Sequence, residues 1–336
     1  MTRFRTHRGS LFAALTAAIS LVLLSAMGVP PVTVRIKASD HTAIQKAIDR
    51  LPPAGGTVLL LPGRKPVRVG ASIVIDRNNV TLEGEGRVEL RLADGVNQPV
   101  LILGQTRAEP TVTRTNIHVR NLIINGNRAK QTSELHPYNR ELRNNGLSLR
   151  RVEDCSVERV GAFACRSGGL VTELGCRRLT VRDFEAYDNY FDGLACYHTE
   201  DSVFSGLKLH HNLAAGISLD IDFARNVIRD SVLTSNRSVG VFIRDSRDNV
   251  FSNLLIEASG EHGFFLAQVD MDATTPATGN QFQNCRVRDC GGAGIRVNNA
   301  TCVNNSVITS EFTHNACGGF SEVTPGLLKR DDLILD

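Results

Sequence analysis

The chain has no tryptophan, and only four tyrosines and three methionines among its 336 residues. A module that binds sugars on broad aromatic platforms usually needs more stacking area than that. Beyond Leu24 there is no apolar run long enough to span a bilayer, so a membrane segment is excluded everywhere except at the N-terminus. Cysteine is present, but Cys155, Cys165, Cys176, Cys196, Cys285, Cys290, Cys302 and Cys317 never form a close pair answered by another close pair. That excludes the usual metal-ligand spacings and leaves the cysteines as small hydrophobes, with bridges between neighbouring segments as the alternative.

Excess charge is also missing. Arg3, Arg5 and Arg8 precede an apolar run from Leu11 to Leu24 and small residues at Ala26 and Gly28, the order of a secretory signal. Cleavage is expected near Ala26 to Val29, with an uncleaved anchor as the alternative. Removing residues 1–28 takes three arginines and no acid, which brings the net charge of +3 to zero. A neutral chain argues against a nucleic-acid partner. The expected location is secreted or periplasmic, with no membrane contact beyond the signal segment.

What the chain does have is a period. Gly146, Gly169, Gly193, Gly216, Gly240 and Gly263 each open a short run of alternating apolar residues, at spacings of 23, 24, 23, 24 and 23, and Gly294 opens another. A repeat of that length with strand alternation and no room for a helix of ten residues predicts a β-coil. The inward column is Leu147, Leu170, Leu194, Ile217, Val241, Phe264 and Ile295. A second column is read at Cys155, Leu179, Val203, Val227 and Val250, and Asn189, Asn212 and Asn236 predict an amide ladder at a turn. The fold class is all-β, a single-stranded right-handed parallel β-helix of about 23–24 residues per coil with an N-terminal capping helix. The expected division is a signal at 1–28, a capping segment at 29–56, the β-helix at 57–325 and a tail or cap at 326–336.

The cap is read from SDHTAIQKAIDRLPPAGG, where Ser39 or Asp40 can cap a helix with Ala43, Ile44, Ala47 and Ile48 on one apolar face. AIQKAID, then GGTVLLLPG, then NNVTLEGEG resembles the start of pectate-lyase-like β-helix proteins, a superfamily of lyases, glycoside hydrolases and uronan epimerases. NLIINGNR at 121–128 and the repeats from 160 to 245 are most similar to the catalytic module of mannuronan C5-epimerases. Those enzymes carry Asp-Pro-His where this chain has Val171, Thr172 and Glu173. An acid on their next coil falls at Tyr197, and an Arg-His pair at Ala214 and Ala215. The resemblance therefore implies the fold and not their catalytic set.

Alternation directs the second and fourth residues after each glycine outward. The fourth-position column reads Arg150, Glu173, Tyr197, Asp220 and Arg244, with His198, Asp222 and Asp245 just beyond. The column beside it contains Val171, Ala195, Ser218, Phe242 and Phe265. Neighbouring coils lie about 4.8 Å apart, so acids, bases and donors form one stripe beside a small or apolar floor. Tyr197, His198, Glu173, Asp220 and Arg244 are the expected catalytic residues, and Arg150, Asp222, Asp245, Phe242 and Phe265 the expected substrate contacts. Cross-coil ion pairs, Arg150 with Glu173 and Asp220 with Arg244, are the structural alternative. Long insertions at 125–144 and 268–280 should rise on either side. His262, just before Gly263, is a weaker candidate, and His210 and His211 read as turn residues.

Three readings follow. The first is β-elimination or C5-epimerisation on a uronate polymer, with a cation neutralising the carboxylate and a base beside it. The second is inverting glycoside hydrolysis by Glu173 and Asp220, two coils apart. The third is a non-catalytic surface or glycan-binding protein. The partner in each is a polysaccharide, and the oligomeric state is left open. No metal is assigned and no cofactor is certain; calcium at Asp220 with Asp222, or at Asp270 with Asp272, is the alternative.

Overall fold

The computed structural model describes residues 32–269 and 275–336; the expected signal segment, Asp270 and Asp272 lie outside them. Strands pair in parallel throughout the named ladders, in one sheet of 17 strands and one of 14. The chain winds as a right-handed parallel β-helix, with the glycine-led strands stacked from Ile73–Ile75 to Phe320–Glu322.

The inward column stacks as the period requires. Leu147 pairs with Leu170, Leu170 with Leu194, Leu194 with Ile217, Ile217 with Val241, and Val241 with Phe264, which pairs with Ile295. All seven are fully buried, and each contributes roughly 1.5–3 kcal/mol through removal of apolar surface from water. The glycines ahead of them permit close stacking: a Cβ on Gly193 would lie 2.8 Å from Asn212 Nδ2 and 2.9 Å from Gly216 O. Period and amide ladder are thus one packing solution. Asn189 donates to Asn212 Oδ1 at 2.9 Å and Asn212 to Asn236 Oδ1 at 3.0 Å.

The second column is corrected by one residue. Val203 pairs with Thr180, not Leu179, and Val227 and Val250 continue that half-buried outward row. The column that begins at Cys155 and Leu179 runs instead through Ser202, Asn226, Asn249, Asn280 and Asn305, because the coil after Leu179 is a residue shorter. Its side chains accept buried corner N–H groups, for example Ser202 N to Asn226 Oδ1 at 2.9 Å and Asn226 N to Asn249 Oδ1 at 3.0 Å. An amide serves a corner where valine would leave those donors unpaired.

Helix α1 (His41–Asp49) closes the first coil with Ile44, Ala47 and Ile48 buried. Asp40 accepts Thr42 N at 3.0 Å as its N-cap, and Arg77 satisfies the far end by donating to the carbonyls of Ile48, Leu51 and Pro52. At the other end Leu328–Leu335, in the segment expected to be a tail or cap, adds a strand to Asn305–Thr313. Arg330 there lies 4.0 Å over the Phe320 ring and pairs with Glu322. An inward charge on the last strand blunts an edge that would otherwise invite pairing. The cysteines are free thiols, buried except for Cys317.

Candidate functional site

The strands Leu147–Arg150, Leu170–Glu173, Leu194–Tyr197, Ile217–Ala224 and Val241–Arg247 bring the outward stripe together in register. Glu173 pairs with Arg150, Tyr197 with Asp220, and Asp220 with Arg244. The stripe is not uniformly solvated. Arg150 is only 1% exposed, with Nε on Glu173 Oε1 at 2.7 Å and Nη1 on the carbonyls of Gln105 and Arg107 at 3.0 and 2.9 Å. The segment after Leu101–Gly104 covers it, so its charge acts through Glu173. Asp220 is likewise buried, chelated by Arg244 through Nε at 2.9 Å and through Nη2. Both pairs form.

Upstream, the insertion folds over the stripe as a small hairpin. Leu135 and Arg143 form an antiparallel bridge, His136 N donates to Leu142 O at 2.9 Å, and Asn139 Nδ2 ties the tip to Thr106 O at 2.7 Å. Between hairpin and coils lies a cleft of about 460 Å³. Arg140, Glu141 and Arg143 line its hairpin side, and Glu173, Asp192 and Tyr197 its coil side. Val171 and Ala195 form the small apolar floor, with Phe191 on the wall.

Burial sets the protonation of this cleft. The Asp192 carboxyl is pushed up to about 6 by desolvation, against which stands only the Ala215 N–H at 2.8 Å. Burial pushes the Tyr197 phenol up to about 12, with the Asp192 and Asp220 charges adding to it, so the hydroxyl stays a proton donor. Glu173 is raised by burial despite the opposing Arg150 charge.

The other expected residues lie beside the cleft. His198, Asp222 and Asp245 have φ of 46°, 57° and 50°, which puts them at left-handed bends, His198 just past Tyr197 and the other two within the strands Ile217–Ala224 and Val241–Arg247. His198 is exposed with Nδ1 3.7 Å from Asp222 Oδ2, and Asp222 also meets Arg247 at 3.0 Å. Asp245 is buried and accepts Val269 N at 3.1 Å. Phe242 and Phe265 stack on each other at 5.4 Å and 9°, so they present edges outward and not free faces. Among the described residues no group of three or more His, Cys, Asp or Glu converges as metal ligands do.

Asp192, Arg140 and Arg143 are additions. Asp192 immediately precedes Gly193, in a corner column that reads Asn145, Gly168, Asp192, Ala215, Val239, His262 and Ala293. Reading the residue before each glycine, as well as those after it, would have found it.

Fold and cleft together define a right-handed β-helix with a loop-covered site on its glycine-led face. The family description "Right handed beta helix region" matches residues 171–324. Mannuronan C5-epimerase AlgE4 of Azotobacter vinelandii is 28% identical over 190 residues, 54% of this chain and 34% of that protein. The chain thus spans about a third of that relative's length. The solved A-module of AlgE4 superposes with a TM-score of 0.66 at 20% identity, covering 88% of this chain and 92% of the module. An alginate lyase from Paenibacillus sp. str. FPU-7 gives a TM-score of 0.55 at 11% identity, over 90% of this chain and 99% of its own. The chain has the right-handed β-helix fold and is similar in sequence to mannuronan C5-epimerases.

Proposed function

We propose that the chain is an exported carbohydrate-active protein that acts on a uronate-containing polysaccharide by β-elimination or C5-epimerisation. The observation that carries this reading is one cleft in which a donor phenol, two carboxyls of raised pKa and two arginines converge. Both reactions begin by removing the C5 proton, which is acidic only when the adjacent carboxylate is neutralised. Arg140 and Arg143 meet that carboxylate from the hairpin side. Asp192, ionised above about pH 6, takes the C5 proton, and Arg150 holds Glu173 beside the ring. In elimination the C5–H electrons form the C4–C5 double bond, the C4–O4 bond breaks, and Tyr197 protonates O4. In epimerisation C5 is reprotonated from the opposite face, with Tyr197 as donor.

Asp220 and Arg244 act from beside the cleft, where the Asp220 charge helps to keep Tyr197 protonated. Because Asp220 is chelated, inverting hydrolysis by Glu173 and Asp220 lacks a free second carboxyl. Export through residues 1–28 belongs to the same proposal. Polymannuronate and polygalacturonate incubated with the purified chain test it. Unsaturated uronate absorbance or inverted C5 signals in NMR support the reading. New reducing ends without absorbance, or binding without change, refute it.

A further inference from the structure

Three coils beyond the cleft, the corner column that supplies Asp192 supplies His262. The two lie about 14 Å apart along the axis at 4.8 Å per coil. Between them the same corners carry Ala214 with Ala215 and Ser238 with Val239, none of them charged. His262 is held, not loose. Its Nδ1 accepts Ala293 N at 2.8 Å, so the neutral ring carries its proton on Nε2, and its face lies 5.9 Å from Phe265 at 23°. Gly292 makes room for it, since a Cβ there would fall 2.4 Å from Nδ1. Burial lowers the His262 pKa, the Glu261 charge opposes that, and the charge of Arg296, which pairs in register with Phe265 on the next coil, adds to it.

Arg296 also differs from several arginines elsewhere on the helix. Arg150, Arg178, Arg225, Arg244 and Arg247 each meet a carboxylate. Arg296 has a hydroxyl, Ser321 Oγ at 2.7 Å, and among the described residues no carboxylate. A guanidinium with no carboxylate partner among the described residues, beside an imidazole N–H and the edge of Phe265, suits a ligand that brings an anion.

We infer that His262, Phe265 and Arg296 form a second subsite that binds the carboxylate of a uronate further along the same polysaccharide chain. The inference rests on the proposed uronate reading and adds a direction: the bound polymer runs along the helix axis from the hairpin cleft toward Arg296. A short oligomer seated in the cleft does not reach the subsite, whereas a longer one does.

Calorimetric binding of oligomannuronate trimer and hexamer to the full chain tests this, with Tyr197→Phe present throughout to prevent turnover. The hexamer should bind about tenfold tighter than the trimer, as one charge-assisted contact warrants. Arg296→Gln combined with His262→Asn, which retains an acceptor for Ala293 N, should bring that ratio to about one. A ratio that survives the double substitution overturns the subsite alone, as does an equal length gain with neutral mannan oligomers. Binding of neither oligouronate overturns the subsite together with the functional reading.

Discussion

The upstream and downstream halves of the glycine-led face occupy the same register positions, and among the described residues the upstream half carries a hairpin over it. Glu173 and Tyr197 face a half-open cleft because the 125–144 insertion folds across them. Asp220 and Arg244, one and two coils on, lie outside that cleft and close on each other. Alternation decides that a side chain leaves the core. Cover decides whether it also lines a cleft: Glu173, paired with Arg150, does, and Asp220, paired with Arg244, does not.

The largest effect should separate the two halves. Tyr197→Phe should lower turnover by about a hundredfold or more while the melting temperature holds, since the hydroxyl serves the cleft and not the core. Asp220→Asn, on the adjacent coil, should retain most activity. If the two variants lose activity equally in steady-state assays, the division of the face is wrong. Next in size is Arg150→Met. It leaves Glu173 beside an apolar wall without its cation, and breaking a buried pair of this kind costs about 3–5 kcal/mol, which denaturant unfolding would register. The matching change downstream, Arg244→Met, should cost less because that guanidinium is partly exposed. The subtlest effect is on pH dependence. With the folded Asp192 carboxyl pushed up to about 6, kcat/KM should rise as pH increases through about 6 while the carboxylate forms. Asp192→Asn should leave at most residual turnover with no such limb, and a wild-type profile flat from about 5 to about 7 would contradict the assignment.

The same contrast marks how far the residues alone could be read. Glycine spacing and alternation sufficed for the bore, since Leu170, Leu194, Ile217, Val241 and Phe264 stack fully buried. The outward order of Glu173, Tyr197 and Asp220 follows from the same rule. The second column slipped because the coil after Leu179 is shorter and an asparagine ladder takes over at its corner, where apolar pattern carries no signal. Arg150 reads as an outward base and is enclosed, because carbonyls of Gln105 and Arg107, distant in sequence, close over it. Asp192 stayed hidden because it sits in a corner, and alternation addresses strands only. Phe242 and Phe265 were placed correctly, but ring orientation is set by their stacking and not by their positions.

The most direct test of the central claim is hydrogen exchange at C5. Wild-type chain and Tyr197→Phe would be incubated with polymannuronate in D2O and followed by proton NMR. The account predicts deuterium at C5, or unsaturated C4–C5 ends, with the wild type, and a loss of inverted or unsaturated product in Tyr197→Phe. A wild-type protein that leaves C5 untouched, or a Tyr197→Phe protein that still processes it at the wild-type rate, would contradict it.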